Sequence, residues 1–313
     1  MTDNRAAIYQ ALQDVVGEDF VSDDPVIRQA YSKDASLTST TRKHAKDLSM
    51  VPAYVALPSS TEEVQGIMRI CNRYSVPVVT INTGSNMCGV CVPNWADSLV
   101  LDLKRLNRIL DIDEKNMTAV IQPHVTIARL QSETMKMGLW NGGTPLAPSS
   151  VGLISNMMFN GIWQSALAYG PGYRSLANIT VVLPNGDVIN TGSTAIPDAG
   201  DFAWTGPGPD LKGLFEFTHY GSLGVVTEAT VKLHRWAGGE WPEEEVYDRP
   251  SIPANHRFYF IEYPDYKSTE AGLYEIAHSG IGTHLNTIPD AFNAFNTQTT
   301  QAMAEKTFLE GRW

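Results

Sequence analysis

The sequence has few cysteines and few basic residues for its length. Cysteine occurs 3 times in 313 residues, and Asp plus Glu outnumber Lys plus Arg by 34 to 23. So small and odd a number of cysteines does not indicate a disulfide framework. The formal net charge of -11 argues against a nucleic-acid-binding surface, because phosphate backbones attract lysine and arginine. This balance is typical of a soluble cytoplasmic protein, and we predict that location.

Membrane-spanning and targeting patterns are also missing. No uninterrupted apolar run approaches the ~20 residues that a membrane helix needs. The first residues, MTDNRAAIYQALQ, lack the basic-then-apolar pattern of a signal peptide. We therefore predict no transmembrane segment. What is present, 43% hydrophobic and 18% charged residues, is ordinary globular composition, and the length suffices for two domains with a substantial core.

Metal ligands are sparse. Cys88 and Cys91 form a single CxxC pair, and no second CxxC or pair of histidines lies nearby. A structural zinc site normally needs four ligands. We therefore predict no metal site and interpret the pair as small residues in or beside a tight loop.

The most informative stretch is VVTINTGSNMCG at residues 78–89, an apolar strand that continues as a loop of small and polar residues. Such a loop leaves backbone N–H groups unshielded and can form a nest that binds phosphate oxygens. Lysine and arginine are absent from residues 78–92, so a phosphate here would be held by dipoles and hydroxyls. The loop matches neither GxGxxG nor GxxxxGK[ST], and an ordinary strand-to-loop turn explains the same residues.

Apolar spacing and turn residues predict a mixed set of helices and strands. Ser60 and Glu63 have the spacing of a capping box, and Thr126 is a candidate helix cap. The predicted helices lie at 4–17, 24–36, 61–74, 126–136, 267–278 and about 298–310. The predicted strands lie at 54–57, 76–81, 99–103, 109–113, 117–122, 179–183, 188–191 and 257–263. Residues 142–161 are uncharged and rich in Gly, Pro, Ser and Asn, which indicates either a wall around a flat aromatic ligand or a packed irregular loop.

Several phrases occur in an order that resembles a known flavoprotein family. They are PSSTEEVQGIMRICNRYSVPVVTINTGSN, SLVLDLKRLNRILDIDEKNMTAVIQPHVTIARLQ, VVLPNGDVINTG and YGSLGVVTEATVKL. Over about residues 24 to 236, the chain resembles the FAD-binding domain of the vanillyl-alcohol oxidase and p-cresol methylhydroxylase family, which glycolate oxidase and D-lactate dehydrogenase flavin subunits share. Relatives often carry two adjacent glycines where this chain has Gly152 and Leu153.

The resemblance implies an α+β fold, namely a two-subdomain FAD-binding domain of the vanillyl-alcohol oxidase type followed by an incomplete α+β cap. We expect an N-terminal helical segment at 1–50, the FAD-binding domain at 51–236 with subdomains 51–123 and 124–236, a linker at 237–256 and a partial substrate or cap domain at 257–313. That last piece is too short to form its own core. We therefore expect a second polypeptide to complete it.

The cofactor implied by the resemblance is FAD, held by three segments. The residues matched to the family's FAD contacts are Asn82, Thr83, Gly84, Ser85, Asn86, Met87, Cys88, Pro148, Ser149, Gly152, Asn156, Met157, Tyr220, Gly221, Leu223, Gly224 and Val226.

The catalytic residues are not identified by the sequence. His219, Tyr220, Tyr169 and Tyr173 are polar aromatic residues near the family's flavin segments, and a structural role explains each of them equally well. His278 and His284 lie at the start of the predicted cap, where some relatives attach flavin covalently, but the surrounding motif is missing here.

Three functions are compatible with these observations. The first is an FAD-dependent oxidoreductase subunit that passes a hydride from a hydroxylated or para-alkylphenolic small molecule to flavin, with a partner chain completing the substrate domain. The second is an FAD-binding electron-transfer subunit without its own substrate site, or a 2-hydroxy-acid dehydrogenase subunit. The third is an inactive remnant. The electron acceptor is not readable from the sequence.

Overall fold

The computed structural model describes residues 4–33, 51–85, 89–95, 97–143, 149–159, 161, 163–203, 208, 211–215, 221–236, 238 and 255–287. The helices in this part of the chain are α1 (Arg5–Val16), α2 (Pro25–Ala30), α3 (Thr61–Tyr74), α4 (Ile127–Thr134), α5 (Leu153–Met158), α6 (Ala166–Tyr169), α7 (Lys212–Phe215) and α8 (Tyr266–Ser279). The strands are β1 (Val21–Ser22), β2 (Tyr54–Ala56), β3 (Val78–Ile81), β4 (Leu99–Asp102), β5 (Ile109–Asp113), β6 (Thr118–Ile121), β7 (Leu139–Trp140), β8 (Leu176–Val182), β9 (Val188–Asn190), β10 (Val225–Lys232) and β11 (His234–Arg235).

The first sheet has four strands in the order β1-β2-β4-β3, and β2, β4 and β3 run parallel. Parallel strands need a crossover connection, and α3 provides it between β2 and β3, which lie on either side of β4. The Ser60 hydroxyl caps this helix by accepting from the Glu63 N–H at 3.2 Å. The Glu63 carboxylate accepts from the backbone N–H and the hydroxyl of Ser59. The cap is therefore the predicted one on the serine side, while the glutamate bonds one residue earlier than a capping box requires.

The second sheet has five antiparallel strands in the order β5-β6-β10-β8-β9. Side chains alternate between its two faces because successive residues of a strand point in opposite directions. Ile179, Val181, Ala229 and Val231 belong to a buried apolar cluster, so one face of the sheet packs against the core. Its other face carries polar residues. The short pair β7 and β11 forms a separate two-stranded sheet.

Two apolar clusters of buried residues correspond to the two sheets. The cluster around the first sheet also includes Val182 and Val225, which lie in strands of the second. A hydrogen bond of 2.9 Å joins the hydroxyls of Thr61, at the start of α3, and Thr227 in β10. The N-terminal half of α3 therefore packs where the two sheets meet. The boundaries predicted at residues 50, 123, 236 and 256 stay predictions.

Most predicted elements are confirmed within a few residues, and two expectations need correction. Residues 257–263 do not form a strand. No strand among the described residues pairs with them, and Phe260 is 94% exposed. A strand without a neighbour leaves its backbone N–H and C=O groups without hydrogen-bond partners and its side chains exposed. Within the irregular stretch 142–161, the structure has the helix α5. The helix predicted at 298–310 lies outside the described residues.

Among the helices that the structure describes, none combines the length and the apolar character needed to cross a membrane.

Candidate cofactor-binding site

The loop after β3 is joined directly to the segment that enters α5. The Asn82 side-chain Nδ2 donates to the Pro123 carbonyl oxygen at 2.6 Å and to the Ser155 hydroxyl at 3.2 Å. The Thr83 hydroxyl accepts from the Gly152 N–H at 3.2 Å. These bonds connect residues that are 41 to 73 positions apart in the chain. Two of the three predicted cofactor segments are thus brought together.

Glycine is favoured at positions 84 and 152 of this junction for two different structural reasons. A Cβ added at Gly152 would lie 2.4 Å from Asn82 Nδ2 and 3.0 Å from the Pro123 oxygen, although its φ of -64° suits any residue. Gly84 has a φ of +68° and open space, since a Cβ there would meet only Ile81 Cδ1 at 3.6 Å. Gly152 therefore permits a close approach of backbone and side chain, whereas Gly84 permits a left-handed turn of the loop.

We expect Asn82→Ala to lower the free energy of unfolding of the cofactor-free protein by about 1–3 kcal/mol, because the Pro123 oxygen loses its donor. Asn82→Asp is the matched variant, since it keeps the shape but replaces the donor by an acceptor. It should destabilise at least as much. Urea unfolding followed by circular dichroism measures both. A change below about 0.5 kcal/mol in both variants would show that the bond does not hold the junction together.

The third predicted segment, described from residue 221 to residue 226, leads into β10 of the five-stranded sheet. Gly224 is packed so closely that an added Cβ would lie 2.6 Å from Val181 Cγ1, and Val226 is 9% exposed. Leu223 is 39% exposed, and Gly221 has a φ of +80°. The hydrogen bond of Thr227 to Thr61 ties the segment to the start of α3.

The remaining predicted cofactor contacts have varied environments. Ser85 and Ser149 are exposed, and Met157, a residue of α5, is fully buried. The Asn156 side-chain oxygen accepts from the Trp163 indole N–H at 2.7 Å, so the described contacts use it to hold the segment after α5. Asn86, Met87, Cys88, Pro148 and Tyr220 lie outside the described residues.

A charged cluster lies at the same end of the first sheet as the loop. Asp102 ends β4 and is paired in register with Ile81, the last residue of β3. The Tyr31 hydroxyl donates to Asp102 Oδ2 at 2.5 Å, and Lys104 Nζ lies 3.1 Å from the same oxygen. Burial raises the pKa of Tyr31, and the hydrogen bond to Asp102 raises it further. Burial lowers the pKa of His124, which is half-buried and within the field of Asp102.

Residues 78–92 contain no lysine or arginine, so this stretch alone predicts no cation near the loop. The carboxyl ends of parallel strands share one edge of a sheet, so Lys104, two residues after β4, belongs to the same edge. That rule, applied to β4 as well as β3, would have found it.

The catalytic candidates fall into an aromatic cluster and a part outside the described residues. The Tyr169 ring lies 4.4 Å from the His234 ring and 5.7 Å, edge-on, from the Trp140 ring. Trp140 also lies near His284, with 6.4 Å between the ring centres. Burial lowers the pKa of His234 and of His284, which favours neutral imidazoles. Tyr173 is half-buried in a short 3-10 turn, His278 lies near the end of α8, and His219 and Tyr220 lie outside the described residues.

Metal ligation has no support in the described part of the chain, where no group of three or more His, Cys, Asp or Glu side chains is placed to hold an ion. Burial raises the pKa of the Cys71 thiol to about 12, so this cysteine stays protonated and unreactive near neutral pH. Cys91 is half-buried, and its CxxC partner Cys88 lies outside the described residues.

Comparison with known proteins identifies the domain. Residues 52–192 match the FAD binding domain family model. The chain is 33% identical over 226 residues to the glycolate oxidase subunit GlcD of Bacillus subtilis, covering 72% of this chain and 44% of that protein. It is 33% identical over 175 residues to the 4-cresol dehydrogenase [hydroxylating] flavoprotein subunit of Pseudomonas putida, covering 54% of this chain and 33% of that protein.

Among solved structures, the chain resembles p-cresol methylhydroxylase with substrate bound. The TM-score is 0.64 at 25% sequence identity, and the match covers 75% of this chain and 44% of that one. The chain thus spans less than half the length of these curated relatives and of this structural neighbour.

Proposed function

Because residues 52–192 match the FAD binding domain family, we propose that this chain works as an FAD-linked oxidoreductase subunit. In this proposal a hydroxylated or para-alkylphenolic small molecule gives up a hydride to FAD. The observation that carries the proposal is the junction between the loop after β3 and the start of α5.

The chemistry of this junction fits FAD. Asn82 Oδ1 is buried and has no hydrogen-bond partner among the described atoms. The two ends of the Asn82 amide can be told apart. The end that faces the Pro123 carbonyl oxygen must be the N–H donor, so the unpaired end is the oxygen. A buried acceptor of this kind calls for a donor, and the ribityl and ribose hydroxyls of FAD are donors. The turn at Gly84 adds backbone of the kind that lies close to phosphate oxygens.

We assign the pyrophosphate to the loop and the middle of the cofactor to the segment that enters α5. Asn82, Thr83, Gly84 and Ser85 are the described loop residues, and the assignment extends to Asn86, Met87 and Cys88. The full proposed set also includes Pro148, Ser149, Gly152, Asn156, Met157, Tyr220, Gly221, Leu223, Gly224 and Val226.

When bound, the flavin supplies the hydride acceptor, and the protein contributes binding, orientation and exclusion of water. In this proposal Asn82 and Thr83 fix the relative position of the loop and α5. Tyr169 is the catalytic candidate for which a ring contact with a histidine is described, since it lies against His234. His219, Tyr220 and Tyr173 remain further candidates.

We propose that a second polypeptide completes the substrate domain. Phe258, Tyr259, Phe260 and Ile261 are 57% to 94% exposed, so four consecutive apolar residues lack a packing partner among the described residues. Contiguous exposed apolar surface of this kind is typical of a protein interface. Both curated relatives are named as subunits, which is compatible with a multi-chain enzyme.

The test of FAD binding is the visible absorption spectrum of the purified chain before and after acid precipitation. We expect flavin absorbance that moves to the supernatant with acid, because the described residues show no covalent attachment motif. Absorbance that stays in the pellet would indicate a covalent bond. A colourless folded protein that takes up no added FAD would contradict the proposal.

Two substrate classes are separated by anaerobic reduction of the bound flavin. The structural likeness to p-cresol methylhydroxylase favours 4-alkylphenols, and the identity with a glycolate oxidase subunit favours 2-hydroxy acids. Bleaching by 4-ethylphenol but not by glycolate or D-lactate would support the first. An FAD-loaded chain that neither class reduces, with its partner present, would indicate an electron-transfer subunit.

A further inference from the structure

A buried carboxylate lies at the edge of the first sheet where the loop after β3 begins. Asp102 is 5% exposed. Its Oδ2 accepts from the Tyr31 hydroxyl at 2.5 Å and lies 3.1 Å from Lys104 Nζ, and its Oδ1 accepts from the Lys104 backbone N–H at 2.9 Å. Lys104 Nζ also donates to the Tyr31 hydroxyl at 2.8 Å. A buried charge is tolerated where it is paired and hydrogen-bonded in this way.

The carboxylate is connected to the loop through the ladder between β3 and β4. Asp102 is the last residue of β4 and is paired in register with Ile81, the last residue of β3. Asn82, the first residue of the loop, follows directly. Because backbone hydrogen bonds join the two strands, the position of the end of β4 fixes the point from which the loop starts.

A second connection runs through the turn after β4 to the acceptor of the Asn82 bond. Residues 103–105 form a 3-10 turn, and the Leu106 carbonyl oxygen accepts from the His124 N–H at 2.8 Å. Pro123, the residue before His124, provides the carbonyl oxygen that accepts from Asn82 Nδ2 at 2.6 Å. The end of β4 therefore supports both the donor and the acceptor of the bond that fixes the loop.

Tyr31 reaches this carboxylate from 71 positions away in the chain. It follows α2, which contributes no buried side chain to a core. Polar contacts hold the helix instead, since Asp24 caps its first turn and Arg28 Nε donates to the Pro52 carbonyl oxygen at 2.6 Å. Burial raises the pKa of Tyr31, and the hydrogen bond to Asp102 raises it further, so the hydroxyl remains a donor near neutral pH.

We propose that Tyr31 is a positioning residue for FAD, which acts through Asp102 on the loop assigned to the pyrophosphate. This inference rests on the proposed function and adds to it a residue outside the three cofactor segments. Without the hydroxyl, Asp102 Oδ2 loses a donor and the end of β4 gains freedom. FAD binding must then restrict that freedom, and the cost of ordering the loop lowers the affinity.

The test compares Tyr31→Phe with Tyr9→Phe as the matched control. Tyr9, in α1, donates its hydroxyl to the Val21 carbonyl oxygen at 3.3 Å, and Val21 lies in β1, the edge strand farthest from β3. Both variants lose a phenolic hydroxyl, but only Tyr31→Phe loses it beside the loop. FAD is titrated into each cofactor-free protein, flavin fluorescence gives the dissociation constant, and circular dichroism gives the melting temperature.

We expect Tyr31→Phe to bind FAD about tenfold more weakly, because a hydrogen bond to a charged group is lost. Tyr9→Phe should bind FAD as tightly as the unchanged chain. Asp102→Asn gives a second measurement that does not depend on how Tyr31→Phe folds. It keeps the shape but offers a single acceptor oxygen in place of two, so it should weaken FAD binding as well.

A double variant supplies a readout that a general loss of stability would not give. Tyr31 and Asn82 act on one network of contacts, so their effects on the dissociation constant should not be independent. In Tyr31→Phe/Asn82→Ala the weakening of FAD binding should be smaller than the product of the two single effects. A weakening equal to that product would mean that Tyr31 acts independently of the loop, which would overturn the inference.

The titration also separates this inference from the proposed function. If the unchanged chain binds FAD and Tyr31→Phe binds it as tightly as Tyr9→Phe does, the inference is wrong and the proposed function stands. If the unchanged chain takes up no FAD, the proposed function is wrong and the inference falls with it.

Discussion

Gly84→Asp is expected to give a folded protein that no longer retains FAD. Gly84 turns the loop after β3 with a φ of +68°, and an added Cβ would make only an ordinary contact with Ile81 at 3.6 Å. Aspartate tolerates this left-handed conformation better than most residues, so the fold should survive. The new carboxylate, however, lies in the loop assigned to the pyrophosphate. Like charges brought together cost several kcal/mol, which predicts at least a hundredfold weaker FAD binding.

Gly138→Asp provides the matched control. Gly138 has a φ of +71° and nothing within 4 Å of an added Cβ, so it reproduces both the backbone strain and the added charge outside the loop. We expect this variant to keep its FAD at a small cost in melting temperature. The ratio of flavin absorbance to protein absorbance measures both variants. Equal flavin content in Gly84→Asp and Gly138→Asp would remove the pyrophosphate from this loop.

The sequence predicted the elements that local rules determine. The Ser60 cap and the apolar stripe of Val64, Ile67, Met68 and Cys71 define α3, and all four side chains are buried in the structure. The turn at residues 184–187 defines the hairpin of β8 and β9 in the same way. Such features depend on residues a few positions apart, and they can therefore be predicted from a single sequence.

The errors arose where burial overrides local composition. Ser155 and Asn156 made residues 142–161 look irregular, yet Leu153, Ile154 and Met157 all face the core from one side of α5. That i, i+1, i+4 spacing is a helical signal that composition concealed. The converse error is the run at 257–263. Its apolar residues have strand propensity, but a strand forms only beside another strand.

The candidate site could be predicted in its parts but not in its assembly. The motif-like loop and the glycine at 152 were both identified from the sequence. Their union depends on the Asn82 contact with the Pro123 carbonyl, and a backbone carbonyl carries no sequence signature. The Trp140, Tyr169, His234 and His284 cluster likewise joins four distant segments. Contacts of this kind come from the packing of elements that are far apart in the chain.

Gly152→Ala is expected to disrupt the site by sterics alone. A Cβ at this position would lie 2.4 Å from Asn82 Nδ2, 3.0 Å from the Pro123 oxygen and 3.1 Å from the Ser155 hydroxyl. The φ of -64° is normal for alanine, so backbone strain adds nothing. Overpacking costs about 1–3 kcal/mol, and displacing Asn82 leaves the Pro123 carbonyl unpaired at a further cost of about 1–3 kcal/mol.

The expected result is a lower melting temperature together with loss of most bound FAD, because the strain falls on the same atoms that hold the loop against α5. Gly213→Ala is the matched control, since nothing lies within 4 Å of an added Cβ there, and alanine favours its short helix. It should keep both flavin and stability. If Gly152→Ala melts earlier yet binds FAD as well as the Gly213→Ala protein, the junction is structural and the cofactor lies elsewhere. If flavin and stability fall together, the close contact at residue 152 is what couples the fold of this domain to its cofactor.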